Sequence, residues 1–406
     1  MILKRATKWT TASYPVAFWG ALVASFIVQT GFGAILPLLP QFVRDRGFPL
    51  ADMGTLAASY AAVSFVGQTG LGSLADRWGK KWLIVPGCLI EAVGTAGFLL
   101  HMRPWFYIVM RVVQGLGSAA VIPAAQALVA DLIHESLRGR AYGLIAASSS
   151  AGFVVGPLIG GMAAAGFGLG APFVAGAGLN LVAASVALIT LPRLWRGQPR
   201  PVAPKPAFKP LMTRLWPYFV VMGAWMGLAG LYDTSWSLYM QSLGAGKWII
   251  GLSFTLFGLP LLIFNVLGGR LADYRSERHR IILGGMLLQT ATLILYVVSH
   301  SMGFSIAVTV VEAAAMSLTG PALSAAVMHG IPDGYTGMVQ GWFQASGTLG
   351  AAILALASGP LLVERASHPF ILGAAVLGAT TLGIALVWKP WRSNRGSDTP
   401  TPLQES

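Results

Sequence analysis

The sequence predicts an all-α membrane protein: twelve transmembrane helices in two pseudo-symmetric six-helix bundles. Three observations carry this. First, long stretches hold no Asp, Glu, Lys or Arg: Trp9–Val43, Met53–Ala75, Trp248–Gly269, Gly334–Val363 and Pro369–Trp388, with Ala141–Pro192 running 52 residues without a charge. Second, charged residues make up 10% of the chain, where a soluble domain carries about 25%. Third, features of the first half return about half a chain later: Gly54, Gly72 and Asp76 match Gly251, Gly269 and Asp273 at an offset of 197, and Pro123-Ala124 and Gly143 match Pro321-Ala322 and Gly341 at 198.

A bilayer satisfies the backbone only in helices or closed barrels. Barrel strands alternate in short segments, whereas these runs are continuous and long enough for the roughly 20 apolar residues of a spanning helix. In chain order the spans are expected at 15–39, 50–72, 82–101, 104–128, 141–164, 170–191, 216–240, 248–269, 281–300, 303–328, 336–362 and 369–388. The first is read as uncleaved, because its apolar run is too long for a signal peptide and no cleavage site follows. Residues 1–192 then form an N-terminal bundle and 216–390 a C-terminal one. Between them, 193–215 (RLWRGQPRPVAPKPAFKPLMTRL) is rich in proline and bases, the composition of an extended spacer. Residues 391–406 read as a disordered tail.

The net charge of +13 invites a nucleic-acid partner, but its distribution argues otherwise. With both termini on one side, 21 of the 27 Lys and Arg fall on that side and five on the other. That asymmetry is the positive-inside signature and places both termini in the cytoplasm, so no nucleic acid is needed to explain the charge. The lone Cys88 excludes an internal disulfide, and neither a metal nor a cofactor is expected.

GSLADRWGKK, Gly72–Lys81, puts one acid and three bases into ten residues, and GGRLADYRSER near residue 268 partly repeats it. Gly72 and Gly79 allow close approach and a sharp turn. Asp76 is suited to a helix N-terminus or a basic partner, while Arg77, Lys80 and Lys81 stay at headgroup level. Contacts of this kind, made in one state and broken in another, can bias a two-state equilibrium. A plain positive-inside loop would explain the bases but not the repeated Gly-x-x-x-Asp.

With these residues in view, the chain resembles the major facilitator superfamily. GSLADRWGKK looks like its loop signature, RVVQGLGSA (Arg111–Ala119) its second motif, and GFVVGPLIGG (Gly152–Gly161) the motif of its drug:proton antiporter branch. The resemblance covers the whole chain. It implies helices one, four, seven and ten around a central cavity, and a latch formed by Gly72, Asp76, Arg77, Gly79, Lys80, Lys81, Asp131, Arg138 and Asp273. It also marks Gly152, Gly156, Pro157, Gly160 and Gly161 as the antiporter motif, although the four-residue glycine spacing is equally a recipe for close helix packing.

Ionisable groups inside a bilayer are costly and so are functional candidates. Arg111 in the fourth span, Asp233 in the seventh and Glu312 in the tenth are such groups, and the acids on the seventh and tenth resemble the proton-coupling arrangement of the superfamily's multidrug antiporters; the resemblance implies that these three couple protons, a carboxyl group loading a proton on one side and releasing it on the other. Alternatives are a snorkelling Arg111 and a solvated Asp233 at a helix end. The first span lacks the acid that many relatives carry; Gln29 is its nearest polar group. Glu91, flanked by Gly87 and Gly94, reads as a structural, hydrogen-bonded residue. Gln29, Gln114, Trp225, Trp236, Phe257 and Trp342 are expected to line the cavity.

No Walker-type, HExxH or GxSxG sequence is present, so an enzyme is not expected. The leading expectation is a proton-coupled exporter of amphipathic small molecules in a bacterial inner membrane. A sugar or nutrient carrier and a lipid or glycolipid flippase of the same fold remain open. The expected partners are the small-molecule substrate, protons and the bilayer, and one chain holding both halves suggests a monomer.

Overall fold

The computed structural model describes residues 15–78, 80–133, 135–191, 208–272, 278–329, 331 and 336–388. Among them are twelve long helices and a short one: α1 (Val16–Ile35), the short α2 (Leu39–Arg44), α3 (Met53–Trp78), α4 (Lys81–Gly97), α5 (Pro104–Leu132), α6 (Glu135–Phe167), α7 (Ala171–Thr190), α8 (Phe208–Ser242), α9 (Lys247–Ala272), α10 (Arg278–Val298), α11 (Met302–Met328), α12 (Thr336–Glu364) and α13 (His368–Val387). Ten of the long helices are long and apolar enough to span a bilayer. The remaining two are α4, only 17 residues, and α5, which carries Arg111. The spacer at 193–207 and the tail from 389 lie outside the described residues.

Two boundaries differ from the sequence expectation for physical reasons. The first span stops at Ile35 rather than 39, because Pro37 and Pro40 cannot continue its hydrogen-bond ladder; Pro40 instead opens α2. Helices α6 and α8 begin at Glu135 and Phe208, before their apolar runs. Hydropathy marks the lipid-buried part of a helix, not where its backbone bonds begin.

The helices pack as two copies of one plan. In the first half α1 packs on α6 and α7, α4 on α5 and α7, and α3 on α5; in the second α8 packs on α12 and α13, α10 on α11 and α13, and α9 on α11. Large apolar side chains stand exposed on α4, α7, α10 and α13, including Val93, Ile189, Ile294 and Leu386, as lipid-facing helices require. Tight turns repeat as well: Gly47 after α2 and Gly244 after α8 both adopt positive φ, 81° and 86°. Glycine alone takes that conformation without steric cost.

Two seams join the halves, α3 against α12 and α6 against α9. A Cβ on Gly54 would strike the Ala355 carbonyl, and one on Gly251 would strike the Pro157 carbonyl. Gly359 lies against Ala51 and Gly54, as Gly161 lies against Gly251. Lipid provides no hydrophobic drive between helices, so association relies on such backbone-to-backbone approach. At the end bearing residues 36–52 the halves are also tied by side chains. Arg44 Nη2 donates to Gln241 Oε1 at 2.8 Å, and Gln41 Nε2 to the Ser237 carbonyl at 3.5 Å. That end is closed.

Candidate functional site

The antiporter-type motif supplies the site with a wall. On α6, Gly152, Gly156 and Gly160 occupy one face, and bare glycine lets each meet α1 backbone at Phe26, Thr30 and Ala34. The Pro157 carbonyl and Gly161 face the other way, onto Gly251 of α9, while the Pro157 ring lies against Gly33 of α1. One helix thus holds the first half together and seals it to the second. Gly350, 198 residues after Gly152, meets Gly223 of α8 in the same manner.

Between the halves lies a cavity of about 390 Å³, within the range of small-molecule sites. Gln29, Phe32, Tyr60, Ser64, Ser118 and Phe153 border it from the first half; Met226, Tyr232, Asp233, Trp236, Phe257 and Glu312 border it from the second, with Met316. Phe32 stacks on Tyr60 with ring centroids 5.2 Å apart and on Phe153 at 6.4 Å. The walls are therefore aromatic and thioether surfaces with two acids among them. A second cleft of about 270 Å³ over the closed end, between Arg44, Gln241 and Leu362, borders neither acid.

Arg111 is 1% exposed. Its Nη2 stands 3.2 Å from Asp233 Oδ2, its Nη1 donates to Gln114 Oε1 at 3.3 Å, and its guanidinium lies 4.6 Å over the Tyr60 ring. The ion pair joins the two halves across the cavity. Removing one member of a buried pair costs about 3–5 kcal/mol, because the other is left uncompensated. Neighbouring hydroxyls on α8 are kept out of the site: Thr234 and Ser235 donate back to the Leu231 carbonyl. Asp233 Oδ1 has no partner among the described residues.

Glu312 has no exposed surface, yet it is not in an ion pair among the described residues. The Tyr232 hydroxyl stands 2.6 Å from both of its oxygens, and the Tyr296 hydroxyl donates to Oε2 at 2.8 Å. Thr309 extends the chain, its Oγ1 lying 3.0 Å from the Tyr296 hydroxyl. Tyr232, Trp236 and Tyr296 pack edge to face around this group, and Phe370 meets Trp236 in the same way. The arrangement holds a carboxyl group by hydroxyls alone, and hydroxyls can serve either a charged or a neutral carboxyl.

Several residues expected at the cavity lie elsewhere. Gln114 faces away from it, donating from Nε2 to Thr95 Oγ1 at 2.9 Å, and so holds Arg111 rather than a ligand. Trp225 packs on the bare backbone of Gly320 and Trp342 is half-buried on α12; neither borders the space. Helical spacing put Trp225 on the Asp233 face but not at the same depth. Glu91 is 2% exposed, and one of its two carboxyl oxygens, Oε2, has no partner among the described residues. Gln29, Trp236 and Phe257 do border the cavity.

Of the latch residues, Lys81 donates to the Leu188 and Leu191 carbonyls at 2.6 and 2.9 Å, capping α7 within its own half. Lys80 is buried. The side chains of Asp76, Arg77, Asp131 and Arg138 and the surroundings of Gly72, together with Gly79 and Asp273, fall outside what the structure describes. Sequence reasoning missed Tyr60, Tyr232 and Tyr296. The one available signal was the adjacency of Tyr232 to Asp233; for Tyr296, on another helix, there was none.

Comparison with known proteins agrees with this architecture. The profile of the Major Facilitator Superfamily matches residues 21–236 and 215–405. Multidrug resistance protein 2 of Bacillus subtilis is 27% identical over 378 residues, 90% of this chain and 93% of that protein. Quinolone resistance protein NorA of Staphylococcus aureus is 30% identical over 139 residues, 34% of this chain and 36% of NorA. Among solved structures, the nucleoside transporter NupG superposes with a TM-score of 0.77 at 13% identity, covering 92% of this chain and 99% of that one. An auto-inhibited POT family peptide transporter superposes at 0.76 and 14%, covering 95% and 99%. At such identities the structures speak for the fold alone. With both halves matched by one profile and packed as one repeated six-helix plan, the chain is a multi-pass membrane protein that belongs to the major facilitator superfamily of transporters.

Proposed function

We propose that this transporter exports lipophilic, cationic small molecules in exchange for protons, working as a monomer in a bacterial inner membrane with both termini cytoplasmic. One observation carries the reading: two carboxyl groups, Asp233 and Glu312, border a single aromatic-walled cavity between the halves. Aromatic faces attract desolvated cations, and methionines such as Met226 and Met316 adapt to varied apolar shapes. A proton and a cation arriving at the same acids exclude one another, which is the minimum requirement of an antiporter. Alternation of access couples that competition to movement, because each ligand shifts the equilibrium only through its different affinity for the two states.

The printed names of the relatives, multidrug and quinolone resistance proteins, support efflux as the direction. A sugar carrier would use cavity amides, for which the chain offers Gln29, Gln68, Gln126, Asn265, Gln289 and Gln344; Gln29 borders the cavity, Gln289 is buried on α10, Gln344 is exposed on α12, and the side chains of the other three lie outside the described residues.

The test is purified protein in liposomes under an imposed pH gradient, offered a cationic dye, a sugar and a labelled lipid in turn. The dye is expected to move with the gradient, and Glu312→Gln is expected to abolish that movement while dye binding persists. Undiminished gradient-driven dye transport by Glu312→Gln overturns the assignment of that residue; flux of the sugar or lipid alone overturns the substrate class.

A further inference from the structure

Glu91 is the buried acid that the proposed mechanism leaves unused. It sits on α4, where α4 and α5 approach closely: Gly94 is backed by Gln114, and Gly117 by Glu91 itself. Its Oε2 is buried without a partner among the described residues. A polar atom left so costs about 1–3 kcal/mol, and nothing in the packing of α4 on α5 requires an acid there.

Its surroundings are specific. The opposite charge that acts on Glu91 is Arg111 of the adjoining helix α5; that guanidinium lies 4.6 Å over the Tyr60 ring of α3 and donates to Gln114, which in turn donates to Thr95, one turn from Glu91 on α4. The other helix packed on α4 is α7, whose residues Ala171–Thr190 include no ionisable side chain. On its own helix Glu91 has Cys88 one turn away and Lys81 at the far end, held by α7. Arg111 is itself incompletely satisfied, for its Nε also lacks a partner among the described residues. One buried guanidinium thus pairs with an acid of the other half and keeps a donor without a partner, while an acid on the adjoining helix of its own half keeps an acceptor without one.

We propose that Glu91 is a second counter-ion for Arg111, to which the guanidinium turns when Asp233 takes up a proton or a cationic substrate. The inference rests on the reading of Asp233 as a coupling acid. Its chemistry is an exchange of partners. When Asp233 is neutralised or engaged by cargo, Arg111 keeps its charge, and an uncompensated buried arginine is costly. Glu91 supplies the compensation within the same half, so the bridge between halves opens without stranding a charge. Gln114, held by Thr95 on α4, steadies the guanidinium. In this scheme Glu91 is a positioning residue and does not touch cargo.

Two measurements test it on the full-length protein in lipid nanodiscs. The first is thermal stability of Glu91→Gln, Asp233→Asn, the double variant, and the double variant carrying Arg111→Gln. Each single change leaves Arg111 one acid, so the double variant is expected to lose far more than the sum of the singles, and Arg111→Gln to restore much of the loss. The second is tetraphenylphosphonium binding across mildly acidic to mildly alkaline pH. Glu91→Gln is expected to weaken it about tenfold, the size of a typical coupling between sites, with a changed pH profile, and Glu91→Asp to recover both. Additive stabilities, or unchanged tetraphenylphosphonium binding and pH profile in Glu91→Gln, overturn the proposal. If Glu91→Gln behaves as wild type while Asp233→Asn loses gradient-driven dye efflux, the second counter-ion alone falls. Normal efflux by both Asp233→Asn and Glu312→Gln removes the antiport reading beneath it.

Discussion

Glu312 and Asp233 are both acids at the wall of one cavity, yet they are held by opposite means. Asp233 faces a fixed positive charge, whereas among the described residues Glu312 is held by the hydroxyls of Tyr232 and Tyr296. Removing a single hydroxyl therefore probes the second acid without touching its charge. Tyr232→Phe deletes the shorter contact from a site with no exposed surface, a loss of about 1–3 kcal/mol in the form of the carboxyl that accepts it. The expected outcome is a displaced pH profile of dye efflux with the fold intact; an unmoved profile would mean that the hydroxyl is mere packing. Glu312, Asp233 and Arg111 were legible in the sequence because a charge inside a long apolar run stands out against its surroundings. The tyrosines were not, since tyrosine is common at helix ends and cavity walls alike and only the packing of α8, α10 and α11 brings these hydroxyls together. Trp225 and Gln114 were misplaced for a related reason: periodicity assigns a helix face but not the neighbour that covers it.

At the scale of an element, α6 carries more constraint than its composition suggests. Its glycines at 152, 156 and 160 touch α1 backbone, while Pro157 and Gly161 touch α9. A branched side chain at Gly156 must separate α6 from α1, because the atoms it would meet are the Thr30 carbonyl and Ala34 backbone, which cannot swing aside. Gly156→Val is thus expected to lower the thermal midpoint by several degrees as well as reduce transport, whereas Gly178→Ala on α7, with open space at its Cβ, leaves both unchanged. Equal tolerance at the two positions would refute the packing account. The four-residue spacing made this face readable from sequence, but the second face needed the structure, since nothing local says that α9 lies behind Pro157.

Across the whole molecule the repeat is the organising fact. Gly54 and Gly251, 197 residues apart, occupy corresponding places on the two seams, and their opposite numbers Gly359 and Gly161 are 198 apart. Twelve helices and the duplication were legible because hydropathy and glycine spacing survive in the chain; the closed end was not, because it depends on which of two packings the halves adopt. A leucine at Gly251 has no room against Pro157 and Gly161. Gly251→Leu is expected to fold, since it lies between the bundles rather than within one, yet to lose dye efflux while shifting the protein away from the closed arrangement. A cysteine pair placed at Arg44 and Gln241, whose long side chains now meet at their tips, and bridged by a bifunctional thiol reagent would report that shift as slower cross-linking. Unaltered cross-linking together with lost efflux would locate the defect elsewhere.

The link between Arg111 and Asp233 has one more implication. A passenger that wants the acid finds a rival already seated there, fixed to the same chain and present at the high local concentration that tethering confers. Grip is thereby capped by construction, and a vehicle that must surrender its load on every trip is served by a seat that is never quite vacant.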